Sequence, residues 1–281
     1  MLSSHFFDRN TMPENYPIPL SKSAIETALQ QQINAIGSVE VLQQTDSTNT
    51  RLMSAKTGPG YNSGSLMVCA AEHQTKGRGR RGKPWHTPGG GVTFSLRFSI
   101  SCGLADVSGL SLLAGAAVCD VLREITDEPI GIKWPNDILA GESKLVGILV
   151  EVAHFDASST CLVVGIGVNY RRGKEARRID QKSTDLHDLC NGVPPDRSRL
   201  ISDLAAGVYN ISQGDVARAV ASLSERWADY DALSDREIQV HAGADVITGA
   251  SAGIDEKGLL KVTTTSGLRV FSSAEVSVRK V

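Results

Sequence analysis

The clearest hydrophobic pattern in the chain is an alternation of apolar and polar residues between positions 91 and 100. This period of two is typical of a strand, and it predicts a strand with one buried face. Short apolar runs predict further strands at 39–43, 66–71, 130–134, 138–140, 145–152 and 161–168. The runs at 138–140 and 145–152 are close enough to indicate a hairpin.

Apolar residues at helical spacing predict longer helices in four places. The first follows Ser21, a residue suited to capping, and runs to about Ile36, just before Gly37. The others cover 107–125, 197–211 and 216–233. Strands occur in runs with helices between them, rather than as a regular βαβ repeat. This order predicts an α+β domain whose mixed or antiparallel β-sheet is flanked by helices.

The character of the chain changes near Arg236. Residues 238–281 contain short β-prone pieces separated by glycines, a pattern that predicts a small β-barrel docked on the main domain. The predicted organisation is an N-terminal arm and single helix over 1–38, a large domain over 39–235 and a small barrel domain over 236–281. One helix is fewer than a helix-turn-helix module needs, so no DNA-binding domain is predicted.

The composition limits the classes of function. With 41% apolar residues, 21% charged residues and a net charge of −2, the chain has no general attraction to nucleic acid or anionic membrane. No apolar run is long enough to span a membrane, and the N-terminus does not resemble a secretory signal. The five cysteines are scattered, and neither they nor the six histidines show metal-ligand spacing. These features predict a cytoplasmic protein without a protein-held metal site.

The one strongly basic stretch is residues 74–85, which hold three glycines and five cationic side chains and end at Trp85. The glycines allow backbone N–H groups to approach a ligand, and Arg78, Arg80 and Arg81 carry planar forks suited to carboxylate and phosphate. The stretch predicts a mobile loop that closes over a small anion; a solvated basic loop is the alternative from these residues alone. Pro84 argues against the helix that a G-x-G-x-x-G dinucleotide site requires.

A second polar run is Asp46-Ser47-Thr48-Asn49. Its position before Leu52 and Met53 is typical of a helix N-cap, and the spacing alone favours that structural interpretation. Free amides at a helix start, together with Ser and Asn side chains, can also bind polar ligand atoms. The two interpretations are compatible.

Three further runs are Lys133-Trp134-Pro135-Asn136-Asp137, residues 144–151 (Lys-Leu-Val-Gly-Ile-Leu-Val-Glu) and Gly165-Ile166-Gly167-Val168-Asn169. With Ser47-Thr48-Asn49 and residues 77–85, in this order, they resemble the biotin protein ligases, also called biotin–[acetyl-CoA-carboxylase] ligases. The resemblance is to the monofunctional type without an N-terminal DNA-binding domain, and it covers residues 39–281. It implies a biotin/lipoate-ligase-like catalytic domain over 39–235 followed by an SH3-like barrel.

The resemblance implies a two-step reaction. Biotin and ATP form biotinyl-5′-adenylate and pyrophosphate, and the acceptor lysine of a biotin carboxyl carrier protein then attacks the adenylate and releases AMP. Mg²⁺ is implied on the ATP phosphates. No DNA or membrane partner is implied for this type. A homodimer formed through the sheet would be family-like, although no residue pattern requires it.

The resemblance also assigns residues by their place in the matching motifs. Catalytic roles fall to Lys144, Arg80 and Asp137. The implied biotin-binding residues are Ser47, Thr48, Asn49, Gln74, Arg78, Gly79, Arg80 and Lys144. The implied nucleotide-binding residues are Arg78, Arg80, Arg81, Trp85, Asn136, Lys144 and Asn169.

Two rival functions share parts of this pattern. Lipoate ligases and octanoate transferases share the implied fold, but those ligases lack the Gly-Arg-Gly-Arg-Arg-Gly loop followed by Trp. The transferases need a catalytic cysteine, and no cysteine here stands in a motif that activates a thiolate. A repressor that senses biotinyl-adenylate needs a winged helix, which the pattern does not predict. The charged run at 170–182 matches no functional motif and predicts an exposed loop.

Overall fold

The structure, a computed structural model, describes residues 18–55, 65–86, 90–107, 109–171, 182–242, 245–273 and 276–280. The helices are α1 (Lys22–Gln30), α2 (Thr48–Met53), α3 (Leu110–Arg123), α4 (Leu186–Leu189), α5 (Arg197–Ile211) and α6 (Val216–Glu225). The strands of the large sheet are β1 (Ile36–Thr45), β2 (Leu66–Gln74), β3 (Val92–Ile100), β4 (Ile130–Lys133), β5 (Asp137–Ala140), β6 (Ser143–Phe155) and β7 (Thr160–Val168). A second sheet contains β8 (Glu237–Ala242), β9 (Asp245–Ile254), β10 (Leu260–Thr264), β11 (Gly267–Phe271) and β12 (Val276–Lys280).

The large sheet has seven strands in the order β1-β2-β3-β7-β6-β5-β4. β1 and β2 pair in parallel, and the neighbours from β2 to β4 pair antiparallel. The parallel pair is joined through α2, which the chain inserts between these two strands. The prediction of an α+β fold with a mixed sheet and flanking helices is confirmed.

β3 is buried on both faces, so the prediction of a strand with one buried face is wrong. On one face Phe94 and Phe98 lie fully buried in the main core, which also includes residues of α3 and α5. On the other face Arg97 donates to the carbonyls of Leu52 and Ala55, both at 2.7 Å. The polar side of the alternation is therefore covered by α2 and the residues after it rather than by water.

Two helices are shorter than their apolar periodicity predicts. α1 ends at Gln30, and Ile36 instead begins β1. α6 ends at Glu225, and a separate 3-10 turn follows over Trp227–Asp229. The periodicity continued past each helix because residues in the following turns, such as Ile33, are also buried.

The C-terminal domain is an open antiparallel sheet with the strand order β11-β10-β9-β8-β12. Within the described residues no ladder joins the edge strands β11 and β12, so the small domain predicted as an SH3-like β-barrel is an open sheet here. Leu268 and Val270 on β11 are 61% and 49% exposed along the uncovered edge. Short strands separated by glycines predict a small sheet, but closure depends on the stagger of the whole sheet.

The small sheet packs on the large domain, as expected for a domain with a thin core. The Trp134 indole N–H donates to the Gly258 carbonyl at 3.0 Å in a buried contact. At the start of α3, Gly109 has φ 85°, and a Cβ there would lie 2.8 Å from Val220 of α6. A glycine is therefore required where α3, α6 and the turn before β10 meet.

Most of the predicted N-terminal arm (residues 1–17 of 1–20) and most of the charged run (172–181 of 170–182) lie outside the described residues. The three domain boundaries stay predictions. Across the part of the chain that the structure describes, no helix is both long enough and apolar enough to cross a membrane.

A buried ion pair joins the segment before α1 to β2 and α5. Arg197, 2% exposed, donates to the Glu72 carboxylate at 2.8 and 3.1 Å. Its other N–H groups bond the carbonyls of Ile18 and Gly91, and Glu72 also accepts from the Leu20 N–H at 2.6 Å. Loss of either partner would leave an uncompensated charge in a largely buried place.

We predict that Arg197→Met lowers the free energy of unfolding by about 3–5 kcal/mol, because it strands the Glu72 carboxylate without its partner. Arg199→Met on the same helix is the matched control, since the Arg199–Asp203 pair is exposed to solvent and contributes little. Urea unfolding measures both variants. Equal losses in the two would contradict the role assigned to Arg197.

Candidate functional site

The basic stretch forms a tight hairpin. The Gly79 N–H donates to the Lys83 carbonyl at 2.7 Å, and the Trp85 N–H donates to the Gly77 carbonyl at 2.8 Å. The turn between these bonds places Arg81 in the left-handed region with φ 56°. A Cβ on Gly77 would lie 2.5 Å from the Trp85 carbonyl, so the close approach of the two backbones requires glycine there.

The indole of Trp85 lies against the bare backbone of the large sheet. Gly147 of β6 and Gly167 of β7 are direct partners in the antiparallel ladder. A Cβ on Gly167 would overlap the indole, and one on Gly147 would lie 2.8 Å from its Cζ3. Gly165 lies on the same face of β7, and we call Gly147, Gly165 and Gly167 the glycine floor.

Ser47, Thr48 and Asn49 begin α2 beside this floor. Ser47 caps the helix by accepting from the Thr50 N–H at 3.4 Å, which confirms the N-cap interpretation. All three side chains are buried. The Thr48 N–H and hydroxyl both contact Gln74 Oε1, at 2.8 and 3.1 Å. One helix start thus provides both a cap and a set of buried polar groups.

Ser95 of β3 joins this polar set, although the sequence analysis gave it no role. The Asn49 carboxamide lies over Gly165, where any Cβ would overlap it. The fully buried Ser95 hydroxyl lies 2.5 Å from Asn49 Oδ1 and 2.7 Å from Thr48 Oγ1. Its single proton can serve only one of these acceptors at a time. The sequence feature that could have indicated a role for Ser95 is its place on the polar side of the alternating strand.

Glu151 is a second site residue to which the sequence analysis gave no role. Its carboxylate accepts from Asn49 Nδ2 at 2.7 Å and from Arg78 Nη2 at 2.8 and 2.9 Å. Arg78 Nη1 also donates to Thr50 Oγ1 at 3.0 Å. Glu151 and Gly147 lie four positions apart on β6 and therefore share a face of the sheet. A carboxylate on that face of an apolar strand is the sequence feature that could have indicated a role for Glu151.

Lys144 lies between a carboxylate and an aromatic ring. Its Nζ is 2.6 Å from Asp137 Oδ1 and 5.5 Å from the centre of the Trp85 ring. Both the ion pair and the cation–π contact fix the position of the ammonium group. Asn169 holds the backbone of Lys144 in place, because its Nδ2 donates to the Lys144 carbonyl at 3.0 Å.

Arg80 connects the hairpin to both domains. Its Nη1 donates to Asn136 Oδ1 at 3.2 Å, and its Nη2 donates to the Ser273 carbonyl in the C-terminal domain. Burial lowers the pKa of the Arg80 guanidinium, the charge of Arg81 lowers it further, and Asp137 opposes this shift. An arginine remains cationic at neutral pH despite such a shift.

Most of the assigned residues therefore lie on one face of the large sheet or on the hairpin that covers it. Arg78, Arg80 and Lys144 concentrate positive charge there, which suits small anions. Gly79 contributes backbone to the hairpin, and Arg81 is exposed at its tip. Asn169 contacts the backbone that carries Lys144 rather than the other site side chains.

Cys69, a cysteine on this face near Ser95, is a poor nucleophile. Cys69 is aligned with Ser95 in the ladder between β2 and β3, and it is fully buried. Burial raises the pKa of the Cys69 thiol to about 12, with a further contribution from Glu40. Almost no Cys69 thiolate forms at neutral pH, so this thiol is unsuited to form a covalent intermediate.

Comparison with known proteins gives two family matches. Residues 41–169 match the family described as Biotin/lipoate A/B protein ligase family, and residues 233–279 match the Biotin protein ligase C terminal domain. The first match contains the hairpin, the glycine floor and Lys144. The second contains Ser273, whose carbonyl meets Arg80.

Individual relatives agree with these matches. The chain is 33% identical over 249 residues to the bifunctional ligase/repressor BirA of Escherichia coli (strain K12), covering 86% of this chain and 74% of that protein. It is 32% identical over 265 residues to the biotin--[acetyl-CoA-carboxylase] ligase of Mycobacterium tuberculosis, covering 89% of this chain and 94% of that protein. The solved biotin protein ligase from Aquifex aeolicus in complex with biotin and ATP aligns with a TM-score of 0.71 and 26% identity, covering 89% of this chain and 100% of that one.

We predict that Gly167→Ala displaces the Trp85 indole, because the new methyl group would overlap the ring. The other two tryptophans are buried, so increased acrylamide quenching of tryptophan fluorescence would report this displacement. Gly207→Ala is the control, since its methyl group would make ordinary contacts, the nearest at 3.6 Å.

In a Trp85→Phe background, Gly167→Ala should no longer change the quenching. A change that persists there, or unchanged quenching in the parent background, would contradict the position of the indole on the glycine floor.

Proposed function

The chain belongs to the biotin protein ligase family, and we infer that it is a biotin–[acetyl-CoA-carboxylase] ligase. It uses ATP to convert biotin to biotinyl-5′-adenylate, and it then transfers biotin to the acceptor lysine of a biotin carboxyl carrier protein. The observation that carries this conclusion is the convergence of the basic hairpin, the glycine floor and Lys144 within the region that matches the family.

In the first step, an oxygen of the biotin carboxylate attacks the α-phosphorus of ATP, and the bond to the pyrophosphate oxygen breaks. Two anions must be brought together, so the protein mainly has to align them and neutralise their charge. We propose that Arg78 and Arg80 close over the carboxylate and phosphate, with the Gly79 backbone between them. Lys144 then lies at the junction where the new bond forms, and its 2.6 Å contact with Asp137 supports this fixed position.

For biotin itself, we propose recognition of the ureido ring by Ser47, Thr48, Asn49 and Gln74. These residues supply both donors and acceptors, as the ring requires. The proposal is supported by their placement beside the glycine floor, with Thr48 and Gln74 joined at 2.8 Å. Apolar residues of the sheet would contact the remainder of the ligand.

For the nucleotide, we propose contacts from Arg81, Trp85, Asn136 and Asn169, in addition to Arg78, Arg80 and Lys144. Arg81 presents an exposed cation next to Arg80, and Trp85 presents an aromatic face beside Lys144. Asn136 and Asn169 fit supporting roles, since Asn136 bonds Arg80 at 3.2 Å and Asn169 bonds the Lys144 carbonyl.

We propose Mg²⁺ as the cofactor, bound to the ATP phosphates, whose charge it would neutralise. Mg²⁺ in nucleotide sites is commonly held by one or two carboxylates plus the phosphates, and Asp137 provides a carboxylate on the site face. Elsewhere in the described residues, Asp185, His187 and Asp188 form a group of possible ligands. There Asp185 caps α4 by accepting from the Asp188 N–H at 2.9 Å, which explains that group without a metal.

In the second step, the neutral amine of the acceptor lysine attacks the acyl carbon of the adenylate, an amide bond forms and AMP leaves. A free lysine has a pKa of about 10.4, so it must lose a proton before it reacts. We propose that Asp137 orients this amine or binds Mg²⁺. An Asp137→Asn variant with both half-reactions unchanged would contradict that role. A cytoplasmic location and a homodimer formed through the sheet are further proposals.

The rival within the matched family is a lipoate ligase, and a pyrophosphate assay separates the two. The protein is mixed with ATP, Mg²⁺ and either biotin or lipoate, without an acceptor protein. We expect a single burst with biotin alone, because tightly held biotinyl-adenylate prevents a second turnover. A burst with lipoate instead would contradict the substrate, and no release with either acid would overturn the enzyme assignment.

We predict that Arg80→Gly still forms the adenylate but releases it sooner, by about one to two decades in rate, because a charged hydrogen-bond donor is lost. Retention of labelled adenylate on the protein during gel filtration measures this. Arg226→Gly is the control, since Arg226 is an exposed arginine just after α6, outside the site. Adenylate retained by Arg80→Gly as long as by the parent would contradict the prediction.

A further inference from the structure

Glu151 places a negative charge in a site that is proposed to bind two anions. Its carboxylate lies in the network between α2 and the hairpin, and the reaction steps above give it no role. The side chain is 28% exposed, and both of its oxygens accept from Arg78 Nη2. A residue that opposes the charge of the substrates therefore needs a separate explanation.

We propose that Glu151 is a positioning residue for biotin recognition, an inference that rests on the proposed function. One carboxylate holds two recognition side chains from different elements, the Arg78 guanidinium of the hairpin and the Asn49 carboxamide of α2. Through this shared partner, the closed position of the hairpin is tied to the orientation of a residue that faces the ureido ring.

The contacts of Arg78 show how the carboxylate directs the guanidinium. Arg78 Nη2 donates to both oxygens of Glu151, and Arg78 Nη1 donates to Thr50 Oγ1 at 3.0 Å. A guanidinium has five N–H groups, and no described residue engages Nε or the second N–H of Nη1, so these can bind a substrate anion. Glu151 thus orients Arg78 without using all of its donors.

The contacts of Asn49 show that Glu151 also sets the direction of the carboxamide. A carboxylate accepts hydrogen bonds and does not donate them, so the Asn49 NH₂ group must face Glu151, at 2.7 Å. The Asn49 oxygen then faces the Ser95 hydroxyl at 2.5 Å. A neutral Gln at position 151 could accept or donate, and the orientation of Asn49 would no longer be specified.

The exposure of the pair indicates that its main effect is on recognition and not on stability. The Arg78 and Glu151 side chains are 37% and 28% exposed, and solvent screens ion pairs of this kind. Loss of the charge at position 151 should therefore change biotin binding much more than it changes the unfolding temperature. A purely structural role would show the opposite pattern.

The test is Glu151→Gln, with biotin affinity measured by calorimetry and both KM values measured from steady-state pyrophosphate release with a biotin carboxyl carrier protein present as acceptor. We expect biotin affinity to fall about tenfold, the effect of one charged hydrogen bond. The KM for ATP should rise less than the KM for biotin, because Asn49 is assigned to biotin alone. The unfolding temperature should stay at the parent value.

Glu40→Gln is the matched control. Glu40 accepts from the Arg51 guanidinium through both oxygens, at 2.8 and 2.9 Å, as Glu151 does from Arg78, but it lies outside the site. Glu40→Gln should leave biotin affinity unchanged. Equal biotin affinities in the Glu151→Gln and Glu40→Gln variants would overturn the inference, as would equal rises in both KM values with a lowered unfolding temperature.

A second variant tests the route through Asn49. In an Asn49→Ala background, Glu151→Gln should reduce biotin affinity less than it does in the parent, because one of the two positioned groups is already absent. Equal reductions in both backgrounds would overturn the inference. Failure of the proposed function is distinguishable, since the parent protein itself would then bind no biotin and release no pyrophosphate.

Discussion

Three glycines on two neighbouring strands determine how closely the other site residues can approach the large sheet. Gly147, Gly165 and Gly167 expose backbone on one face of the large sheet, and Trp85 and Asn49 occupy the space that their Cβ atoms would fill. The hairpin and α2 therefore approach the sheet more closely than ordinary side chains permit. This approach brings the basic groups of the hairpin into a partly buried place on the sheet, where they attract anions more strongly than in bulk water.

The same contacts connect parts of the chain that are distant in sequence. Arg78 meets Glu151 on β6, and Arg80 reaches the Ser273 carbonyl in the C-terminal domain. Trp134 forms a second link between the domains through the Gly258 carbonyl. The position of the hairpin consequently depends on both domains, which gives a physical reason for a small sheet to accompany the large one.

Local patterns predicted the elements that carry the chemistry, because capping and alternation are properties of short segments. Ser47 caps α2 as predicted, and the mixed α+β fold is confirmed. Ser95 and Glu151 were missed because their contacts depend on the register that aligns β3, β7 and β6, which no single strand contains. The open form of the small C-terminal sheet was not predictable for a related reason, since edge pairing depends on a whole sheet. The roles of the assigned site residues stay predictions.

The measurement that tests the central claim most directly is the intact mass of a biotin carboxyl carrier domain after incubation with this protein, biotin, lipoate, ATP and Mg²⁺. A biotin ligase built on the glycine floor should add one biotinyl group to one lysine, and only when ATP is present. An unchanged acceptor mass, or a lipoyl group in place of the biotinyl group, would contradict that claim.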